Sequence, residues 1–186
     1  QLPTIAEDNL AKYVDVFCEP GWYTSEETEL IVNESKKLGL TPRLHVDEFI
    51  DSDGLKLATE LGSVSGDHVA HSNDDSRSFA SSNGTMQTFL PGTPYVLGKP
   101  ISLPIRQCIN EGWSFSIASD FNPNCPSLSL PFAGSLLSHR LNIDPIVSLI
   151  AATRNPATTI LDNMTTGCLN VGAPADINFL WSNYIS

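Results

Sequence analysis

Two histidines and one aspartate could form a hydrolytic site, because His45, His68 and Asp120 each lie at or just after the end of a predicted strand. Imidazole and carboxylate groups are ligands for divalent metal ions, and a bound metal ion can activate water. His45 and Asp120 are our candidate ligands, with His68 as a third ligand or as an acid/base group. A lone histidine at such a position is usually packed or hydrogen bonded without a catalytic role. Only the occurrence of three such residues on successive units favours a site.

The polar neighbours of these residues have both functional and structural interpretations. Asp47 and Glu48 follow His45, and Asp47 could equally serve to cap the next helix. Asp67 directly precedes His68, and we expect its carboxylate to orient the imidazole and to favour the charged form.

Two further histidines and one loop complete the set of polar candidates. His71 and His139 are expected to be exposed surface residues. The Asn- and Pro-rich segment 120–126 predicts a rigid turn, which either caps a helix or holds a metal ligand together with substrate contacts.

The elements that must position these residues alternate between strand and helix. Thr24 and Glu27 form a capping box that begins one helix, and Gly39 follows its end. Strands are predicted to begin near residues 13, 43, 64, 85 and 113, with helices between them. These intervals are typical of right-handed βα units and predict a parallel α/β sheet, whose carboxyl edge is where barrel enzymes gather catalytic groups.

The remainder of the chain is predicted to be helical and then extended. Helices are expected over 128–141 and 144–152, and short strands of an appended β element over 167–169 and 175–180. Because a predicted strand begins as early as Tyr13 without an upstream partner, we expect a further N-terminal portion.

Composition narrows the classes of protein. The 186 residues are fewer than the roughly 250 of a complete (β/α)₈ barrel. A net charge of −11 disfavours binding to nucleic acid or to anionic membranes. Four dispersed cysteines predict reduced thiols, and the lack of a signal peptide or long apolar run predicts a soluble cytoplasmic protein. The sequence also has no P-loop, G-x-G-x-x-G or G-x-S-x-G motif.

Four motifs together resemble the C-terminal half of imidazolonepropionase, an amidohydrolase. They are RLHVDEF at 43–49, GDHV at 66–69, LPGTP at 90–94 and SDFNPN at 119–124, with VFCE at 16–19 and GAPAD at 172–176 extending the match. The resemblance implies the C-terminal half of a TIM-like (β/α)₈ barrel, with about four of its eight strands. Residues 1–160 would form this partial metal-dependent hydrolase barrel, and 161–186 part of a small β-sandwich domain.

The same resemblance implies a reaction, a cofactor and site residues. The family hydrolyses 4-imidazolone-5-propanoate to N-formimidoyl-L-glutamate in histidine degradation, using water activated by one zinc or iron ion, and the full-length enzyme is expected to be a homodimer. The implied metal ligands are His45 and Asp120; the implied catalytic residues are Glu48, His68 and Asp120; the implied substrate contacts are Glu48, Asn122, Asn124 and Cys125.

Two departures from the family affect these expectations. The His-x-His ligand pair and the residues that hold the substrate carboxylate belong to the family's N-terminal half, so this chain alone is expected to be inactive. The family loop usually has Gly and Ser or Thr where this chain has Asn124 and Cys125.

Two alternatives stay open. One is another amidohydrolase, such as a nucleobase deaminase, because strand-end ligands are shared across the superfamily. The other is a non-catalytic half-barrel that acts as an association module, since an open sheet edge favours association.

Overall fold

A parallel β-sheet with helices in its crossover connections forms the framework of the computed structural model, which describes residues 1–160 and 166–178. The strands are β1 Tyr13–Cys18, β2 Thr41–Val46, β3 Ser65–His68, β4 Met86–Phe89 and β5 Phe115–Ile117. The helices are α1 Leu2–Glu7, α2 Ser25–Lys37, α3 Gly54–Glu60, α4 Asp74–Asn83, α5 Gly92–Val96, α6 Ile105–Glu111, α7 Leu130–Leu141, α8 Pro145–Ala152 and α9 Arg154–Ala157.

The strands lie side by side in the order of the chain, β1-β2-β3-β4-β5, and every neighbouring pair is parallel. This order is that of a barrel rather than of a doubly wound sheet, in which the strand order reverses. The predicted parallel α/β arrangement is therefore confirmed. The described part of the chain contributes five strands, one more than the resemblance implied.

The hydrophobic core lies between the sheet and the helices. Val16, Leu44 and Val46 point from the strands toward Val32 and Leu55 on α2 and α3, and all five are at most 4% exposed. Burial of such side chains stabilises the fold by about 1.5–3 kcal/mol each. The helices thus cover one face of the sheet.

The other face of the sheet is polar. Backbone pairing places five residues in one row across all five strands, namely Phe17, His45, Asp67, Thr88 and Ser116. Thr88 and Ser116 are joined by a hydrogen bond of 2.9 Å between their hydroxyl oxygens. Branched apolar residues usually fill the interior of such barrels, so this row marks the face that carries chemistry.

The helix boundaries follow from their capping residues. In the predicted capping box, the Glu27 amide donates to Thr24 Oγ1 at 3.2 Å and the Thr24 amide donates to Glu27 Oε2 at 2.9 Å. Asn73 and Asp144 each accept one backbone amide through a side-chain oxygen, from Ser76 at the start of α4 and from Ile146 at the start of α8. These bonds satisfy amide groups that have no partner within the helix.

The C-terminal strand predictions are wrong for the residues that the structure describes. Residues 166–178 form turns and irregular backbone, because no other strand lies beside them to pair with their backbone groups within the described ranges. Residues 179–180 of the second predicted strand lie outside the described residues, and a β-sandwich contribution from 161–186 stays a prediction. Short helices α1, α5 and α9 were not predicted. No helix in the described ranges is long and apolar enough to cross a membrane.

Two helical glycines provide a test of the packing. A Cβ atom at Gly54 would lie 2.7 Å from Val46 Cβ and 2.8 Å from Asp47 Oδ1, whereas one at Gly134 would meet nothing closer than Ser148 Cβ at 3.7 Å. We expect Gly54→Ala to lower the free energy of unfolding by about 1–3 kcal/mol through overpacking. Gly134→Ala should raise it by about 0.5–1 kcal/mol through helix propensity. Urea denaturation measures both changes, and equal effects of the two substitutions would contradict the packing described here.

Candidate active site

Four of the predicted site residues line two neighbouring cavities at the carboxyl edge of the sheet, whereas Asn122, Asn124 and Cys125 line neither. A cavity of about 300 Å³ is lined by His45, Asp67 and Asp120, and a second of about 390 Å³ by Glu48 and His68. Leu90 lines both cavities, so they adjoin. Parallel strands bring their carboxyl ends to the same edge, which is why residues 75 positions apart in sequence meet here.

His45 lies among carboxylates on the polar face. Its Nδ1 atom is 2.9 Å from Asp15 Oδ1 on β1, and Asp67 is its paired neighbour on β3. One ligand atom from each of these three residues lies within 4.8 Å of the others. Burial opposes the charging of the imidazole, but the hydrogen bond and charge of Asp15, with the charges of Asp67 and Asp120, raise the pKa of His45.

Sequence reasoning missed the role of Asp15 and misassigned that of Asp67. Adjacent residues of a strand point to opposite faces, so Asp67 faces His45 rather than its neighbour His68. Burial raises the pKa of Asp67 despite the nearby charge of His45. The alternation of side chains along β1 and β3 was the signal that could have placed both carboxylates on the polar face, although not beside His45.

Glu48 and His68 form a buried pair at the second cavity. His68 Nε2 lies 3.5 Å from Glu48 Oε2, and the rings of His45 and His68 are 5.3 Å apart between centroids. Burial lowers the pKa of His68 to about 4 and outweighs the charges of Asp120 and Asp15, so the charged form expected beside Asp67 is not favoured. Burial, with the charges of Asp120 and Glu19, raises the pKa of Glu48 to about 7. At neutral pH the imidazole is therefore neutral, and Glu48 can hold a proton or release it.

The backbone at the strand ends is left-handed at several non-glycine residues. Positive φ values occur at Asp47 (52°), His68 (75°), Val69 (45°) and Asp120 (55°). A β-branched residue such as Val69 rarely adopts this conformation, and each such residue costs about 1–3 kcal/mol. Strain of this kind persists only where surrounding contacts hold the chain, and it collects at functional sites.

Asp120 is fixed by its own loop and by the neighbouring one. Its Oδ2 atom accepts a short hydrogen bond from Thr93 Oγ1, and its Oδ1 accepts from Asn122 Nδ2 at 3.0 Å. Asn122 Oδ1 in turn accepts from the amides of Asn124 at 2.7 Å and Cys125 at 3.2 Å. The Asn- and Pro-rich segment is thus a rigid turn, as predicted, and Asn122 stabilises it.

The remaining candidates differ in accessibility. Asn124 is exposed, whereas Cys125 is fully buried, with its thiol 3.5 Å from the Ser119 carbonyl oxygen. Contact of these two residues with a substrate stays a prediction. His71 and His139 are both exposed, as predicted, although His71 lies at the rim of the second cavity.

The donor groups on this face suit a divalent transition metal. His45 offers an imidazole and Asp120 a carboxylate to the same cavity, with Asp15 and Asp67 beside the imidazole. Imidazole nitrogen and carboxylate oxygen are ligands of catalytic zinc and of non-haem iron. The residues present therefore fit part of such a metal centre.

Comparison of the fold shows similarity to hydrolases of known structure. The chain superposes on ochratoxinase from A. niger with a TM-score of 0.70 and 17% identity, over 95% of this chain and 47% of that one. It also superposes on adenine deaminase from Arthrobacter aurescens with a TM-score of 0.72 and 13% identity, over 87% of this chain and 51% of that one. For an adenosine deaminase from Xanthomonas campestris with bound zinc, the TM-score is 0.67 and the identity 16%, over 88% of this chain and 42% of that one. At these identities the likeness concerns the fold alone.

Sequence comparison is more specific. No family model matches the chain. It is 36% identical over 181 residues to imidazolonepropionase of Symbiobacterium thermophilum, covering 96% of this chain and 43% of the relative. With imidazolonepropionase of Bacillus cytotoxicus the identity is 35% over 181 residues, covering 97% and 43%. This coverage is consistent with the C-terminal half indicated by the motifs. The chain is therefore homologous to the imidazolonepropionases, of whose length it spans about 43%.

Proposed function

We propose that the chain supplies one part of the active site of a hydrolase that opens the ring of 4-imidazolone-5-propanoate to give N-formimidoyl-L-glutamate. The observation that carries the proposal is the Glu48 and His68 pair, 3.5 Å apart beside His45 at the carboxyl edge of the sheet. Sequence identity of 36% to an imidazolonepropionase over almost the whole chain supports the choice of substrate. Cytoplasmic location, homodimer formation and a place in histidine degradation are parts of the same proposal.

His45 and Asp120 are the residues of this chain that would hold the metal ion, zinc or iron. When bound there, a divalent metal ion would lower the pKa of water and polarise the carbonyl group to be attacked. Asp15 accepts the hydrogen bond from His45 Nδ1, which leaves Nε2 available as the ligand atom. Further ligands would come from the part of the protein that the chain does not span.

Glu48 and His68 would act as the acid and base groups of the reaction. Hydrolysis adds water across the ring C–N amide bond, so one proton must leave the water and one must reach the departing ring nitrogen. Neutral His68 and Asp120 would take the proton that leaves the water and relay it toward the departing ring nitrogen. Glu48, whose pKa is about 7, would hold or protonate that nitrogen. The opposite shifts of the two pKa values suit this division of roles.

The loop after β5 would border the substrate. Asn122 holds this loop in shape, and Asn124 is exposed at its turn. Cys125 lies beneath the loop, so its contribution would be to support the turn rather than to offer its thiol.

A nucleobase deaminase is the second candidate among enzymes, favoured by the fold similarity to adenine deaminase. Because the sequence identity there is 13%, the likeness does not extend to the substrate. Release of ammonia from guanine, adenine or cytosine would distinguish this activity from ring opening.

A non-catalytic association module is the candidate outside enzymes. Within the described residues, β1 and β5 each have a strand neighbour on one side only, and such edges favour pairing with another chain. A stable, soluble oligomer without hydrolytic activity, detected by size-exclusion chromatography, would favour this role.

The proposed roles can be tested in this chain fused to the N-terminal half of the Symbiobacterium thermophilum relative and loaded with zinc or iron. We expect Glu48→Gln and His68→Ala to lower kcat/KM for ring opening by about 10²- to 10⁴-fold, because each removes an acid/base group. A spectrophotometric assay of imidazolonepropanoate consumption measures the change.

The matched control is His139→Ala, which removes an exposed imidazole on α7 that lines neither cavity and should leave kcat/KM unchanged. Undiminished turnover in both active-site variants would refute the assignment. Ammonia release from a nucleobase in place of ring opening would establish the deaminase instead.

Metal binding by the chain alone gives a second test. With His45 and Asp120 as its own ligands, we expect no dissociation constant for Zn²⁺ below about 1 μM, because a catalytic site usually needs three protein ligands. Isothermal titration calorimetry at neutral pH measures this, with His45→Ala as the control. Tighter binding that is lost in His45→Ala would show that the chain carries a complete site.

A further inference from the structure

The four residues after His68, 69–72, are held from two sides by buried groups of opposite charge. Asp47 at the end of β2 and Arg77 on α4 are 0% and 1% exposed. Neither group is assigned a part in the chemistry above. Charged side chains are rarely buried without partners, because their removal from water costs free energy.

On one side the segment is bonded to Asp47. The Asp47 carboxylate accepts the Ser72 hydroxyl at 2.6 Å, and the Asp47 carbonyl oxygen accepts the His71 amide at 3.0 Å. The same carboxylate also accepts the amides of Gly54 and Leu55, each at 3.0 Å, which begin α3. Asp47 therefore does cap the helix, as one interpretation of the sequence had it, but it also binds the next loop.

On the other side the segment is bonded to Arg77. Arg77 Nε donates to the Ser72 carbonyl oxygen at 3.1 Å, and Nη2 donates to the Val69 carbonyl oxygen. The third donor, Nη1, reaches Gln87 Oε1 on β4 at 2.9 Å. The guanidinium thus ties both ends of the segment to the neighbouring strand.

Ser72 is the residue at which the two attachments meet, since its hydroxyl binds Asp47 and its carbonyl binds Arg77. The segment begins directly after His68, and Asp47 directly precedes Glu48. His68 and Val69 have the left-handed φ values of 75° and 45°, which an unrestrained chain would not keep. The attachments account for the persistence of this backbone.

We propose that Asp47, Ser72 and Arg77 form a positioning unit that holds His68 beside Glu48. The unit joins the loop after β2 to the loop after β3, and so it sets the distance of 3.5 Å between His68 Nε2 and Glu48 Oε2. Its catalytic consequence rests on the proposed function, whereas its structural consequence does not.

The test removes one hydroxyl at a time. Ser72→Ala deletes the bond to Asp47. The matched control is Ser63→Ala, which deletes another buried hydroxyl just before β3, at the opposite edge of the sheet. This hydroxyl lies 3.0 Å from Pro42 O and 2.7 Å from Ser65 O, to which it donates. If Ser72 contributed only to overall stability, both substitutions would have the same effect on kcat and on hydrogen exchange of residues 69–72.

In the 186-residue chain, NMR reports the positioning directly. We expect Ser72→Ala to speed hydrogen exchange of the His71 and Val69 amides at least about tenfold, through local opening of the segment. It should also weaken the nuclear Overhauser effect between the rings of Phe17 and His68, which stack with centroids 6.4 Å apart. Ser63→Ala should change neither. Unchanged exchange and ring contact in Ser72→Ala would overturn the proposal.

In the fused enzyme, the same substitution should lower kcat by about 10- to 100-fold with little change in KM, as is usual when support of a catalytic group is lost. Ser63→Ala should leave both constants unchanged. A normal kcat in Ser72→Ala would overturn the catalytic part of the proposal. If the unsubstituted fusion opens no imidazolone ring while the NMR changes occur as expected, the positioning unit stands and the proposed function fails.

Discussion

In-register parallel pairing of neighbouring strands is the constraint on which the arrangement depends. It places Phe17, His45 and Asp67 in one row and directs their side chains to the same face. The opposite face carries the apolar side chains that pack against the helices. A shift of one residue in any strand would exchange the two faces, so the pairing that buries the core also presents the polar groups.

Electrostatics at the carboxyl edge follows from this arrangement. Carboxylates of Asp15 and Asp67 flank His45 and favour its charged form, whereas His68, one row away and more deeply buried, stays neutral. Two imidazoles with rings 5.3 Å apart thus have pKa values shifted in opposite directions. Their difference comes from the Asp15 carboxylate that is hydrogen bonded to His45 Nδ1 and from the deeper burial of His68.

Local signals made much of the framework predictable from the sequence. The capping box of Thr24 and Glu27 fixed where α2 begins, and the β-branched residues of β1 fixed its bounds. The gathering of His45 and Asp120 at one cavity also followed from strand ends in a parallel sheet. The contact between Asp15 and His45 could not be predicted, because the two residues are 30 positions apart and their contact depends on the register of β1 and β2. The buried Arg77 gave no local signal, because its partners are carbonyl groups set by tertiary structure.

The sequential strand order has a consequence for how the protein forms. Each strand pairs with the one that comes next in the chain, so the contacts that build the sheet join segments separated by about 20–30 residues. The entropic cost of loop closure grows only slowly with length, and a βα unit can dock on the preceding one as soon as it is synthesised. We therefore expect the five described strands to add to the sheet in the order β1 to β5 during translation. Asp120, in the loop after β5, would join His45 only when that loop has left the ribosome.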